Sequence, residues 1–261
     1  MTSKIVIVAG GTSGMGRATA LACAARGDRV IVIGRSVRDL PDTITFLSAD
    51  LSEIAEVERV VAQITERHDR VDALTLFANR PVPRRTETAD GLEYTFALYY
   101  LSRYLLGTRL APLMDTASVI VNVAGVGNTS GAIHWDDPQL NDRYSVVRAQ
   151  LQAGRANDLL GVAYDGPARY VLYHPGFTRS GLDSHPNSLV RGVLKTLALF
   201  AARPVEQSVG PILAWIDQPP TEPLTAVDRG RPVDLSVKTL DPGAARRLAT
   251  YTSNLLSTGP R

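Results

Sequence analysis

The sequence predicts an α/β fold, a doubly wound parallel sheet with helices on both faces. Three observations predict it. Short apolar runs rich in β-branched residues recur along the chain, longer helix-like stretches separate them, and neither an internal repeat nor a low-complexity linker interrupts the alternation. Strands buried on both faces read as near-continuous apolar runs, and parallel neighbours need long crossover connections. At 261 residues the chain suits one core, so a single domain over 1–261 is expected, with substrate-side elements from about 178 to 261.

The expected strands are Ile5 to Val8, Val30 to Ile33, Ile44 to Leu47, Ala73 to Phe77, Val119 to Val123 and Tyr170 to Tyr173. Between the first two, Arg17 to Arg26 is rich in alanine and leucine, with Gly27 as its terminator. A second helix is expected after Ser52. A third starts near Asp90, where Asp90 and Glu93 have capping-box spacing, and carries the apolar and aromatic stretch Leu92 to Leu106. Past Pro175-Gly176 the pattern is less regular. Helices are expected at Leu189 to Ala201, Glu206 to Ile216 and Gly243 to Leu256, with a Pro-rich loop from Pro219 to Pro223.

Composition narrows the functions. Hydrophobic residues make up 44% of the chain and charged residues 21%, and the net charge is only +2, so charge selects no partner class. The basic clusters at Arg84-Arg85, Arg229 with Arg231, and Arg246-Arg247 are scattered and not interleaved with aromatics, which argues against nucleic acid. Cys23 is the sole cysteine and lies among small apolar residues, where a buried, inert thiol is expected. His68, His134, His174 and His185 show no ligand-like spacing, so no metal is expected. No Gly-x-Ser-x-Gly elbow is present. Lys4 leads straight into the first strand and no run is long enough to span a bilayer, so a cytoplasmic protein off the membrane is expected.

The most informative motif follows the first strand: Gly10-Gly11-Thr12-Ser13-Gly14-Met15-Gly16, opening a helix. Glycines there admit unusual dihedrals, let a pyrophosphate approach the backbone and place it on the positive helix end. A strand before and a helix after supply the context of a Rossmann-type dinucleotide site, with Gly10, Thr12, Ser13, Gly14, Met15 and Gly16 as its phosphate turn. The second strand ends in Ile33-Gly34-Arg35-Ser36, where an NAD site commonly presents an acidic residue. Arg35, with Ser36, can instead pair a 2′-phosphate, so NADP(H) is favoured over NAD(H). Arg17 is a possible second contact; the alternative is a surface arginine that merely caps the sheet. Asp50, followed by Leu51, either holds the adenine amine or simply starts a loop.

Several further segments carry a resemblance: Glu87-Thr88-Ala89-Asp90-Gly91-Leu92-Glu93, Phe96-Ala97-Leu98, Ile133-His134-Trp135-Asp136-Asp137 and His174-Pro175-Gly176-Phe177-Thr178. With the glycine turn they make the chain resemble the short-chain dehydrogenase/reductase family, in its retinol-dehydrogenase-like branch. The resemblance implies cofactor contacts from Ala78 and Asn79 after the fourth strand. Pro175, Gly176, Phe177 and Thr178 would lie beside the nicotinamide. It also implies that the family's catalytic serine, tyrosine, lysine and asparagine fall on Gly125, Gln150, Gly154 and Tyr99, so all four are replaced. Arg155-Ala156-Asn157 continues in the family's register. A competing register, shifted by six residues, makes Tyr144 and Arg148 a Tyr-x-x-x-Arg pair. The segment between Asn157 and Tyr170 is shorter than in typical members, which leaves monomer or homo-oligomer open.

A positioned acid typically contributes about 10²- to 10⁴-fold to such a reaction. The candidates to replace it are Tyr99, Tyr144 and His134, with Gln150 able to orient a substrate oxygen but not to act as an acid near neutral pH. Tyr99 is preferred because it occupies a projected catalytic position. Tyr100 and Tyr104 are further phenols on the same helix, and Arg103 could hold an anionic or oxygen-rich substrate. Gly125 and Gly154 leave room for a bulky one. The expected function is an NADP(H)-binding oxidoreductase acting on a small-molecule carbonyl or alcohol with a non-standard proton donor. Two alternatives stay open: a cofactor-binding non-redox enzyme (cyclase, dehydratase or isomerase) and a non-catalytic dinucleotide-binding protein.

Overall fold

The computed structural model describes residues 3–36, 39–176 and 205–257. Eight strands form one sheet: β1 (Ile5–Ala9), β2 (Arg29–Gly34), β3 (Ile44–Ser48), β4 (Ala73–Leu76), β5 (Val119–Val123), β6 (Arg169–His174), β7 (Leu224–Asp228) and β8 (Arg231–Pro232). Their order is β3-β2-β1-β4-β5-β6-β7-β8, parallel throughout except for the antiparallel β7–β8 pair. The chain winds outward in one direction from β1 and in the other from β4. A crevice therefore opens at the carboxyl ends of these two neighbours, where ligands bind in such sheets.

Alternation within the strands decides which helices lie on which face. Val6, Val8, Val30 and Val32 point to one side, where α1 (Gly14–Ala25) supplies Met15, Ala20 and Cys23 and α5 (Val205–Asp217) supplies Val209, Ile212 and Ile216. Ile5, Ile7, Ile31 and Ile33 point to the other. There α2 (Ile54–Arg67) covers them with Val57, Val60, Val61 and Ile64. The same face carries α3, a continuous helix made of Tyr94–Phe96, a π-helical stretch Ala97–Leu101 and Ser102–Leu110, with α4 (Val146–Ala163) and α6 (Pro242–Ser257) beside it. The sequence expectation of helices on both faces holds. Cys23 is fully buried, and burial pushes its thiol up to about 12, which keeps it protonated and unreactive.

The structure differs from the sequence reading in two places. β7 was not expected; it follows the Pro-rich loop and turns at Arg229 and Gly230, both at positive φ (50° and 82°), into β8. Two such residues in a row make the tight hairpin whose twist suits the flanking strands. Asp90 does not cap the helix that follows it. Its Oδ2 accepts from the Ile54 amide at 2.8 Å and so caps the start of α2, 36 residues away. Glu93 is the N-cap of α3, its two oxygens accepting from the Thr95 and Phe96 amides at 2.8 and 2.7 Å, and it is 1% exposed. The helix expected at Leu189 to Ala201 lies outside the described residues.

Removing a buried acceptor leaves its donors unsatisfied, at about 1–3 kcal/mol, whereas removing a more exposed cap costs about 1 kcal/mol. Glu93→Ala is therefore expected to lower unfolding free energy more than Asp90→Ala, by roughly twofold. Urea unfolding of the two variants checks this ranking; equal losses would mean that Glu93 is not the principal cap.

Candidate active site

The turn after β1 is built for close approach. Gly10 sits at φ +82°, and a Cβ added there would lie 2.6 Å from the Ala78 nitrogen at the end of β4. A Cβ on Gly16 would lie 2.4 Å from the Gly10 carbonyl oxygen. Both positions exclude every side chain. Helix α1 then starts at Gly14 after an extended Ser13 whose side chain makes no cap bond, and no acidic residue occupies its first turn. Its leading N–H groups and positive dipole end face the crevice, a ready anion site that fits a dinucleotide pyrophosphate. Thr12 is half-buried; Ser13 and Gly14 are exposed. Met15 and Leu51 are buried in the core, so what each can offer a nucleotide is its backbone, not its side chain.

Along the crevice, Arg35 leaves the end of β2 half-exposed, with Ser36 exposed beside it. The Arg35 Nη1 lies 3.9 Å from the Asp50 Oδ2, while the Asp50 Oδ1 accepts from the Ser52 amide at 3.0 Å and its hydroxyl at 2.6 Å. One Asp50 oxygen is thus spent on a loop turn and the other faces Arg35. Arg17 is committed elsewhere, donating to the Asp39 carbonyl at 2.8 Å.

The other end of the crevice gathers the altered positions. Tyr99 lies in the π-helical stretch of α3, a distortion often found at functional sites. Its side chain forms a small cluster with Ala124, beside Gly125, and Ala153, beside Gly154. A Cβ on either glycine would meet nothing within 4 Å, so both open onto free space. Burial holds the Tyr99 hydroxyl above the usual phenol range, with Arg103 opposing, and no hydrogen bond to it exists among the described residues. Gln150 and Asn79 exchange two amide hydrogen bonds, 2.9 Å from Asn79 Nδ2 and 3.1 Å from Gln150 Nε2, bridging α4 to the end of β4. Gln150, Ala153, Gly154 and Asn157 share one face of α4 by their i, i+3, i+4, i+7 spacing.

Arg103 does not reach a substrate-facing surface, contrary to the sequence expectation. It is 1% exposed and its guanidinium binds the ends of two strands. It donates to the Ala78 carbonyl at 3.0 Å, to the Val123 carbonyl at 2.9 Å and to the Asn122 side chain. Its Cζ lies 4.6 Å from the centroid of the Tyr99 ring. Asn122 in turn donates to Asn157 at 3.1 Å and to the Tyr170 hydroxyl at 2.9 Å, and Asn157 donates to the Tyr99 carbonyl at 2.7 Å. Sequence reasoning missed this network because its members come from α3, β5, α4 and β6.

Other candidates stand apart. Tyr144 precedes α4, which starts after the N-cap Ser145, and donates its hydroxyl to the Val82 carbonyl at 2.8 Å. Arg148 turns back to the Asp142 and Arg143 carbonyls, so Tyr144 and Arg148 are not stacked one helical turn apart. His134 lines a separate hollow of about 560 Å³ with Ser145, Arg148 and Gln152; partial burial and the nearby Arg148 hold its pKa below the usual value. Tyr100 is bonded to Thr252 at 2.7 Å. Pro175 is buried and Gly176 lies at φ +87° against Arg229; Phe177 and Thr178 lie outside the described residues. An unforeseen pair joins β6 to β7, His174 Nδ1 and Asp228 Oδ1 at 2.8 Å, which only the missing seventh strand could have revealed. Among the described residues, no group of three or more His, Cys, Asp or Glu could hold a metal, and no helix is long and apolar enough to cross a membrane.

A glycine turn at the switch point of a parallel sheet, with an uncapped helix end facing the crevice, defines a dinucleotide-binding fold. The sequence profile of the short chain dehydrogenase family matches residues 4–136, and the chain belongs to that family. It is similar, at 29% identity over 95% of this chain and 91% of the relative, to a Streptomyces sp. (strain C5) protein provisionally named as a daunorubicin C-13 ketoreductase. Human retinol dehydrogenase 13 is 28% identical over 70% of this chain, and the match spans 61% of that protein. Among solved structures, an uncharacterized protein from Mycobacterium paratuberculosis superposes with a TM-score of 0.69 at 23% identity, over 97% of this chain and 92% of that one. A short-chain dehydrogenase/reductase of unknown function from Caenorhabditis elegans, determined with cofactor, gives 0.66 at 19%, over 87% and 94%. These two likenesses are of fold.

The loop leaving Gly125 is clamped from α4. Arg155 donates to the Asn128 carbonyl at 2.9 Å and the Thr239 carbonyl at 3.1 Å, and binds Asp158 at 2.6 Å. Burial pushes the Asp158 carboxyl up to about 7, against the pull of Arg155, and its Oδ1 is buried without a partner. A carboxyl whose folded pKa is raised binds its proton more tightly folded than unfolded. Its contribution is complete below its unfolded value and is lost as pH rises towards about 7. Asp158→Asn is expected to remove this component, so wild-type stability should fall relative to the variant between about pH 4 and 7. Urea midpoints across that range test it; parallel curves would show that Asp158 is ionised throughout.

Proposed function

We propose that the chain is an NADP(H)-dependent oxidoreductase interconverting a carbonyl compound and its alcohol, with Tyr99 as the proton donor. The observation that carries this reading is the Tyr99 phenol, packed against Ala124 and Ala153 with no hydrogen bond to its hydroxyl among the described residues. Tyr100 and Tyr144, by contrast, have committed theirs. The turn from Gly10 to Gly16 and the start of α1 would hold the pyrophosphate. Arg35 and Ser36 would hold the 2′-phosphate, and Ala78, Asn79, Pro175 and Gly176 would border the nicotinamide half. A bound dinucleotide would supply or accept the hydride.

The protein's own residues do the rest. Tyr99 gives its proton to the oxygen as charge develops there, and the Gln150 amide, released from Asn79, orients that oxygen by a hydrogen bond. The open volumes at Gly125 and Gly154 admit a substrate wider than a small alcohol, and the Streptomyces relative carries the name of a ketoreductase.

Calorimetric titration with NADPH and NADH tests the cofactor. Wild type is expected to prefer NADPH, and Arg35→Ala to abolish the preference; binding of neither nucleotide would overturn the reading. Tyr99→Phe is expected to lower kcat for ketone reduction by about 10²- to 10⁴-fold while NADPH affinity is kept. Full activity in that variant would exclude Tyr99 as the donor. Turnover of a substrate with no change in nicotinamide absorbance would instead mark a non-redox enzyme.

A further inference from the structure

Arg103 is held where a cation is hard to keep. Its guanidinium is fully buried, no carboxylate pairs with it among the described residues, and its Nε has no partner. Its bonds are to neutral groups: two main-chain carbonyls and the Asn122 amide oxygen. Burial pulls its pKa down to about 10, which leaves it charged at neutral pH. A charge buried without a counter-ion is costly, and two strand-end carbonyls need only a neutral donor. Two phenols feel the charge, Tyr99 and Tyr170. The Tyr170 hydroxyl is committed to Asn122, whereas the Tyr99 ring, whose centroid lies 4.6 Å from the guanidinium carbon, has no hydrogen bond to its hydroxyl among the described residues.

We propose that Arg103 is the fixed cation of this site, a positioning residue that stabilises the Tyr99 phenolate formed when Tyr99 protonates the substrate oxygen. This rests on Tyr99 being the proton donor. In the reduction, hydride from a reduced nicotinamide dinucleotide bonds to the carbonyl carbon while the C=O π pair moves onto oxygen. The Tyr99 O–H bond breaks, its proton joins that oxygen, and the negative charge stays on the phenol until water reprotonates it. The guanidinium is already in place before that charge appears, so its field acts without reorganisation. Because Arg103 comes one turn after Tyr99 on the same helix, ring and cation move together. The other titratable group bearing on Tyr99 is Asp158 on α4, whose ionised form opposes phenolate formation and which is itself bound to Arg155. Tyr170, packed from β6, bears on Arg103.

The test reads the ionisation of residue 99 directly. A fluorinated tyrosine placed at Tyr99 lowers its titration into the stable pH range, and fluorine NMR follows that residue alone. Arg103→Gln, which keeps a donor but no charge, is expected to raise the midpoint by about one pH unit or more, a tenfold loss of phenolate. Arg103→Lys is expected to restore most of it. With ordinary tyrosine at 99, the Gln variant should lose kcat about tenfold or more at unchanged NADPH affinity. If Arg103→Gln does not fold, Arg103→Met is the second neutral variant. An unmoved midpoint in a folded neutral variant overturns the role and leaves Arg103 a clamp between strands. Activity surviving Tyr99→Phe overturns the donor assignment instead, so the two failures are distinguishable.

Discussion

The approach of the turn after β1 to the end of β4 governs the layout of the site. At Gly10 the two segments are so close that a single methyl group would overlap the Ala78 nitrogen. Ala78 is also the residue whose carbonyl accepts from Arg103. The same short stretch of backbone therefore touches the phosphate turn on one side and the buried cation on the other. A shift of β4 along its neighbours would disturb both ends of the crevice together. This follows from close packing, which makes interiors transmit displacement instead of absorbing it.

The polar network behind Tyr99 is the second determinant. Asn122, Asn157, Tyr170 and Arg103 are all buried, and each finds partners on a different element. Buried networks of this kind favour a single arrangement, because each hydrogen bond lost in a low-dielectric interior is costly; of these four side chains only the Arg103 Nε lacks a partner among the described residues. They hold the π-helical turn of α3 in register with α4, and that register brings Tyr99 beside Ala153. The chemistry proposed for Tyr99 thus depends on groups that never meet a substrate.

Much of the fold was legible because its signals are local. β1 and β2 alternate valine and isoleucine so that each face carries one residue type, and the glycine turn announces its own geometry. What escaped is long-range. β7 presents Leu224 to Asp228 with only Ala226 deeply buried, too faint a pattern to separate from loop. Asp90 and Glu93 have the spacing of a capping box, yet Asp90 serves a helix 36 residues upstream. Tyr144 and Arg148 are four apart, but Ser145 starts the helix between them. The projected positions of Tyr99, Gln150 and Gly154 came from resemblance alone; spacing gave no sign that Arg103 would turn inward towards strands 19 to 25 residues away.

The β7–β8 hairpin carries one more consequence. Sheets have edges, and an unpaired edge is a template on which another chain can add. Here the edge beyond β7 is taken by a strand of two exposed residues, the second of which is Pro232 and has no amide hydrogen to give. The chain thereby finishes its own sheet on that side with a blunt end. A two-residue strand ending in proline offers a poor template for a ladder from a second molecule on that flank.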